Sequence, residues 1–484
     1  MPLACAGNHA SIAASSVLPN VAYPDAWIAA AMSRCSQILL SAIASLWLSM
    51  PSFADSLVLH GSNTIGEKLA PNLVISWLES RGCKLLERKS PVLDHLVLHA
   101  ECAGKPFQVD IHAYGTGTGF AELLAERADL WMASRPANAD EVSRASKLAR
   151  LDQAPFENVI ALDGLSVIVH PGQLVRRMDL VQLQRVFSGQ IQNWQALGGP
   201  DKPINVYARD EKSGTFDSFK SMVLAGAALR PDAKRFESSE QLSNSVQSDP
   251  NGIGFVGLAA VGKARPLAIA DGAVAAQLPS MASVVVEDYA LSRRLYLYCG
   301  PQLSALGHEF LAFVGSDSGQ TIVDQTGFIG LRLRNVPHAD YVGAPEEYRE
   351  DIVRDAARLG VNVRFEERRS DFDARAVRDM ERLIDYLKLP ENRGKRLRVA
   401  GFADTREIPI LALNLSIERA DFVAQYLGRR GVVVERSRGF GAVLPIASND
   451  NDRGRGRNRR VEVWIVDGAP RVSSTATAKT VRGS

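Results

Sequence analysis

The sequence predicts an α/β protein in two unequal parts, and three observations predict it. From Asp55 to about Asn335, strand-like runs alternate with helical stretches: LVLHGS, GEKLAPNLVISWLES, FQVDIHAYG, GFAELLAERA and DLWMAS. Such alternation builds a layered fold with mainly parallel strands. Within it, DGLSVIVHP (163–171) and SVVVEDYALSRRLYLYC (283–299) read as strands bracketing a long central block. Two lobes joined by a double crossover give this order, lobe 1 holding about 55–165 and 270–335 and lobe 2 about 166–269. Past Asn335 the composition turns Arg-rich, and a second, smaller α+β domain begins near Leu359.

At 484 residues the chain exceeds one ordinary domain. Its 46% hydrophobic and 23% charged residues, with net charge +2, describe a globular protein without the basic excess of a nucleic-acid binder, and no nucleic-acid partner is expected. Residues 1–54 read as a secretory leader: a lone Arg34, an apolar run from Ile38 to Met50, and Ser52 and Ala54 before Asp55. Met32 is a possible true start. No later segment offers about 18 uncharged apolar residues, so the mature chain is expected to have no transmembrane segment.

Cysteine use fits export. Cys5 and Cys35 leave with the leader, and Cys83, Cys102 and Cys299 lack the C-x-x-C spacing of zinc sites. Cys83 and Cys102 flank two strand candidates around KSPVLD, where an oxidising compartment lets them pair. Cys299, inside RLYLYCG, reads as a buried thiol. Neither a metal nor a cofactor is expected.

Taken in order, three strand-to-helix junctions share one grammar. HGSNTIGEKLA (60–70) offers Ser62 and Thr64, YGTGTGFAELL (114–124) offers Thr116 and Thr118, and RDEKSGTFDSFK (209–220) offers Arg209, Ser213, Gly214 and Thr215. A helix start presents unpaired N–H groups and partial positive charge. Small residues let a tetrahedral oxyanion approach that backbone, hydroxyls add donors, and a guanidinium supplies a charged fork. In an open sheet, ligands bind beyond the carboxyl ends of the strands, where such loops gather.

HGSNTIG, YGTGTGF, ADLWMASRP, VFSGQIQNW, RDEKSGT and NGIGFVG, in that order, resemble the periplasmic phosphate-binding proteins of ABC importers. The resemblance covers roughly 56–335. It implies a two-lobed periplasmic-binding-protein fold, type II-like, closing by a hinge on phosphate, with an ABC permease as a partner and Ser62, Thr64, Thr116, Thr118, Arg209, Ser213, Gly214 and Thr215 as ligands. Some members place an Asp after the A-S of ADLWMASRP to accept the proton of monohydrogen phosphate. Here Arg135 stands there, which strengthens oxyanion binding, leaves sulfate open as a ligand, and makes Asp210 and Glu211 the replacement acceptors.

VPHADYVGAPEEYRED opens a charged linker (336–357), and a second domain is expected over 358–467. Val377, Met380, Leu383, Ile384 and Leu387 recur at helical spacing, as do Ala420, Val423, Tyr426 and Leu427. RLRVAGFAD and NRRVEVWIV read as strands, giving the order α, β, α, β, and the polar tail 468–484 reads as disordered. This part resembles the OmpA-like peptidoglycan-binding domain, which implies that Asp404 engages the ammonium and Arg419 the carboxylate of a diaminopimelate peptide. Leu411 and Ala412 replace that family's Tyr-Asn pair. DRGRGRNRR fits its final loop.

The expected protein is therefore a non-enzymatic receptor for phosphate or a related oxyanion, tethered to peptidoglycan in the periplasm of a Gram-negative bacterium and serving phosphate uptake or sensing. A structural envelope protein with a vestigial cleft is the alternative. KSG at 212–214 suggests a peptidoglycan-active serine acyltransferase, but the S-x-x-K and G-x-S-x-G patterns of serine enzymes are absent.

Overall fold

The strand-forming runs of the first part assemble into one continuous sheet that threads both lobes. A computed structural model describes residues 55–211, 213–337, 343–365, 372–404 and 408–468; the leader and the tail beyond Gly468 lie outside the described residues. In chain order the strands are β1 (Asp55–Gly61), β2 (Lys84–Lys89), β3 (His95–Cys102), β4 (Lys105–His112), β5 (Leu130–Ala133), β6 (Glu157–Val169), β7 (Arg177–Asp179), β8 (Asn205–Arg209), β9 (Lys234–Phe236), β10 (Gly252–Gly257), β11 (Arg265–Pro266), β12 (Ala268–Ala270) and β13 (Ser292–Cys299).

The main sheet runs β2-β3-β4-β1-β5-β13-β6-β10-β8-β9, with β11 beside β6, while β7 and β12 pair separately. It is mixed, not mainly parallel as the alternation suggested. The β2–β3–β4 meander is antiparallel, and so are the pairings of β13 with β5 and β6. The reason is topological: short loops close β2 through β4, and the chain must cross between lobes twice. β6 makes the first crossing, pairing with β13 over Glu157–Gly164 and with β10 over Leu165–Val169. The segment between β12 and β13 makes the return.

Local sequence explains the layers. In the helix Ala70–Ser80, Leu73, Val74, Trp77 and Leu78 form one buried stripe against Leu57, Leu59, Leu98, Val109 and Ile111 of the sheet. In lobe 2, Phe187, Phe219 and Phe255 pack together, the last two rings 3.8 Å apart. Cys83 and Cys102 form a disulfide across β2 and β3, and Cys299 is a buried free thiol.

The second domain is a sheet of β14 (Asn335–Val336), β15 (Ala357–Arg364), β16 (Arg396–Phe402), β17 (Val434–Gly439) and β18 (Arg460–Val466), ordered β14-β15-β18-β16-β17. The helices Ala374–Lys388 and Pro409–Gly428 cover it through Met380, Leu383, Ala420, Val423 and Leu427. The expected order α, β, α, β lacks β15 and β17. β15 hides Arg358, Asn362 and Arg364 among apolar residues, and β17 is a mostly polar edge, so neither shows clean alternation. The segment read as a linker supplies part of β14 and the helical turns Glu346–Val353. There Tyr348 is buried, its hydroxyl donating to Glu462 at 2.7 Å. DRGRGRNRR forms a short helix, Asp452–Asn458, capped by Asn451, before entering β18.

Candidate anion site

The first two loops meet at the carboxyl ends of β1, β4 and β5. Gly61 holds φ 137°, and a Cβ there would lie 2.2 Å from the Met132 carbonyl, so only glycine fits. Ser62 is buried, its N–H donating to that carbonyl at 2.9 Å, and Thr64 lies in the first turn of the helix that follows. Gly115 N–H donates to the Gly61 carbonyl at 2.8 Å, which joins the second loop to the first. Thr116 is buried; its hydroxyl accepts from Ser134 N–H at 3.2 Å and lies 3.2 Å from Ser134 Oγ.

The third loop comes from lobe 2. Ser213 caps the helix Gly214–Phe219, its Oγ accepting from Thr215 N–H. A Cβ on Gly214 would lie 2.1 Å from Thr64 Oγ1 and 2.3 Å from Thr64 N, so the two lobes touch at this point.

A buried ion pair supplies the charge. Arg293 of β13 and Asp163 of β6 are cross-strand partners, and Arg293 Nε and Nη2 donate to Asp163 Oδ2 at 3.0 and 2.7 Å. Nη2 also donates to Thr64 Oγ1 at 3.1 Å. Arg293 Nη1 is buried with no hydrogen-bond partner among the described residues. Ser134, Arg293, Asp217 and Ser218 open on a cavity of about 720 Å³, whose far wall includes Arg364, Phe365 and Arg457 of the second domain. Glu157 lines it too; burial pushes its carboxyl up to about 7, although Arg294 and the Tyr298 hydroxyl favour its charge. The Ser134 and Ser218 hydroxyls and the incompletely bonded Arg293 guanidinium thus face one space, with Arg135, Asp217 and Glu157 beside them, while Thr64, Thr116 and Gly214 adjoin it through Arg293 and Ser134.

Several sequence-chosen residues are engaged elsewhere. Arg135 lines the same cavity but is pinned by Glu141 at 2.7 and 2.8 Å, the Glu that closes a capping box with Asn138. Arg209 donates to the Phe236 carbonyl and to Ser239 Oγ. Thr118 is exposed, its hydroxyl donating to the Gly115 carbonyl of its own loop. Thr215 is partly buried behind Ser213. Glu211 pairs with Arg235. Sequence reading missed Asp163, Arg293 and Ser134. The first two were visible as charges inside otherwise apolar strands, and Ser134 stood beside the Arg that drew attention.

In the second domain, Asp404 is nearly buried and accepts from Arg459 Nη1 at 2.8 Å. Arg419 is buried with its guanidinium 5.5 Å from the Phe365 ring centroid. Thr405, Arg406 and Glu407 next to Asp404 lie outside the described residues.

A two-lobed α/β domain followed by a small sheet-and-helix domain is the class these features define. The model of the PBP superfamily domain matches residues 88–318, and that of the OmpA family matches 364–459, so the chain carries a PBP superfamily domain followed by an OmpA domain. The "Phosphate-binding protein PstS" of Borreliella burgdorferi is 26% identical over 251 residues, covering 50% of this chain and 87% of the relative. "Protein SphX" of Synechococcus elongatus is 26% identical over 275 residues, covering 54% and 79%. Among solved structures, an ABC-type phosphate transport receptor from Vibrio cholerae aligns with a TM-score of 0.45 at 22% identity, covering 56% of this chain and 99% of its own.

Proposed function

We propose that the chain is an exported receptor that binds inorganic phosphate, or a related tetrahedral oxyanion, between its lobes and is tethered to peptidoglycan by its OmpA domain. The observation that carries this reading is the convergence of Thr64, Ser134 with Thr116, and Gly214 around Arg293, whose Nη1 lacks a partner among the described residues. The relatives named for phosphate binding support the choice of anion.

Binding proceeds by lobe closure, without chemistry. Arg293 supplies a charge-assisted donor, and Thr64, whose oxygen accepts from Arg293, has its hydroxyl proton left to donate outward. Asp163 takes the role first assigned to Asp210 or Glu211: it is the carboxylate beside the guanidinium, and it accepts the proton of monohydrogen phosphate while repelling fully ionised sulfate. Phosphate has few heavy atoms, and a ceiling of about 1.5 kcal/mol per atom gives roughly 7 to 8 kcal/mol, around micromolar binding.

The two domains together support the setting proposed here. The receptor sits in the periplasm of a Gram-negative bacterium, Asp404 and Arg419 hold the diaminopimelate peptide, and the loaded form serves phosphate uptake through an ABC permease or phosphate sensing. Calorimetric titration of the full chain with phosphate, arsenate and sulfate tests the ligand. Heats for phosphate and arsenate but not sulfate are expected; silence to all three overturns the reading in favour of an envelope protein with a vestigial cleft.

A further inference from the structure

A second cluster, on the face of lobe 1 away from the helix Ala70–Ser80, is unrelated to anion binding. Three histidines stand side by side on three adjacent strands. His60 of β1 is the register partner of His112 on β4, and His112 is the register partner of His95 on β3. Their rings stack, with centroids 4.9 Å apart for His60 and His112 and 4.0 Å for His95 and His112. Asp110 shares the face, its Oδ1 lying 3.1 Å from His95 Nε2. One ligand atom from each of His95, Asp110 and His112 falls within 4.8 Å of the others.

Two further facts go beyond a chance grouping. His60 Nε2 and His112 Nδ1 are both covered by protein and have no hydrogen-bond partner among the described residues, an arrangement that is unfavourable unless something else meets them. Asp110 is itself oriented: Gln108 Nε2 donates to its other oxygen at 2.7 Å, as outer-shell groups do for metal-ligating carboxylates.

We propose that His112, His95 and Asp110, with His60 as an additional ligand, form a binding site for a divalent transition-metal ion. Imidazole nitrogens with one carboxylate suit zinc or its neighbours in the first transition row, whereas calcium and magnesium require an all-oxygen set. Glu122 faces the cluster from the helix Thr116–Leu124 and is itself tied to Arg127, so it balances charge without competing as a ligand.

The test is zinc binding to the chelator-stripped full chain, prepared without a histidine tag and followed by calorimetry and by the visible spectrum of the cobalt-loaded form. One equivalent of zinc per chain is expected, with visible bands of a nitrogen- and oxygen-ligated cobalt centre. His112→Asn should weaken zinc binding by about 100-fold or more, and Asp110→Asn by at least about tenfold. His99→Asn, on the same strand as His95, should bind as the parent does. Circular dichroism of each variant separates loss of ligand from loss of fold. Absence of stoichiometric zinc from the parent, or parent-like affinity in a folded His112→Asn variant, overturns the proposal. Because the probe is the metal alone, failure here leaves the phosphate reading standing.

Discussion

Replacing Gly214 by Ala separates lobe closure from folding. Gly214 opens its helix without a left-handed backbone, so alanine is tolerated locally and raises helix propensity by up to about 1 kcal/mol. The added methyl, however, sits 2.1 Å from Thr64 Oγ1, 2.3 Å from Thr64 N and 2.6 Å from Thr64 Cα, where ordinary contact begins at 3.4 Å. Two of these atoms are backbone, so no rotamer change relieves the overlap, and the lobes must stand apart. Overpacking of this kind costs about 1 to 3 kcal/mol. That penalty falls only on the closed arrangement, so phosphate affinity should fall about 5- to 150-fold while the melting temperature without ligand holds or rises. Calorimetry and a thermal melt measure the two quantities. Unchanged phosphate affinity in a folded Gly214→Ala chain would mean that loops one and three do not clamp the ligand together.

Other perturbations give equally definite outcomes. Arg293→Gln should abolish phosphate binding and, by leaving Asp163 buried and unpaired, destabilise the fold by about 3 to 5 kcal/mol. Adding Asp163→Asn should restore most of that stability but none of the binding, and recovered binding would refute the role of the guanidinium. Glu157, raised from 4.5 to about 7, binds its proton more tightly in the folded state. Its contribution is complete below pH 4.5 and is lost as pH rises through about 7, some 3 kcal/mol at most, so Glu157→Gln should flatten denaturant midpoints measured across that window. Asp404→Ala and Arg419→Leu should each prevent co-sedimentation with purified peptidoglycan sacculi while phosphate titrations stay unaltered; sedimentation at the parent level would remove both residues from the wall site.

Much of the fold was legible because its signals were local. Small-residue loops after β1 and β4, the stripe in Ala70–Ser80 and the alternation in β16 and β18 are properties of neighbouring residues. What escaped depends on partners far away in the chain. Arg293 and Asp163 meet only because β13 lies beside β6, and from sequence each is a charge interrupting an apolar run. Arg209 was chosen because its position matches a motif, and Arg135 because a cation stands where some relatives carry Asp. Their partners, Glu141 and the Phe236 carbonyl with Ser239, could not be inferred without the fold. β15 was lost for a related reason: its buried Arg358, Asn362 and Arg364 face another domain instead of water.

Those same β15 residues tie the two domains together at a mechanically sensitive place. The chain returns from lobe 2 to lobe 1 between β12 and β13, and the OmpA domain grips that return segment. Arg358 Nη1 pairs with Asp288 at 2.9 Å, Asn362 Nδ2 donates to the Val286 carbonyl at 2.6 Å, and Arg375 Nη1 pairs with Glu287 at 3.0 Å. Burial opposes the charge on Glu287, yet Arg294, Arg375 and Arg364 hold its carboxyl well below the usual range. A lobe movement that twists this segment would work against a buried ionic clasp. Replacing Arg358 by Gln together with Asp288 by Asn removes that pair while keeping hydrogen-bonding shape. It also takes a guanidinium from buried Glu462, which keeps Arg460, so stability falls and affinity is compared on the folded double variant. If the clasp biases closure, phosphate affinity in that double variant shifts by about fivefold or more, in the range of ordinary coupling energies. An affinity identical to the parent's would show that the return segment moves freely under the OmpA domain and that the two domains are joined without being coupled.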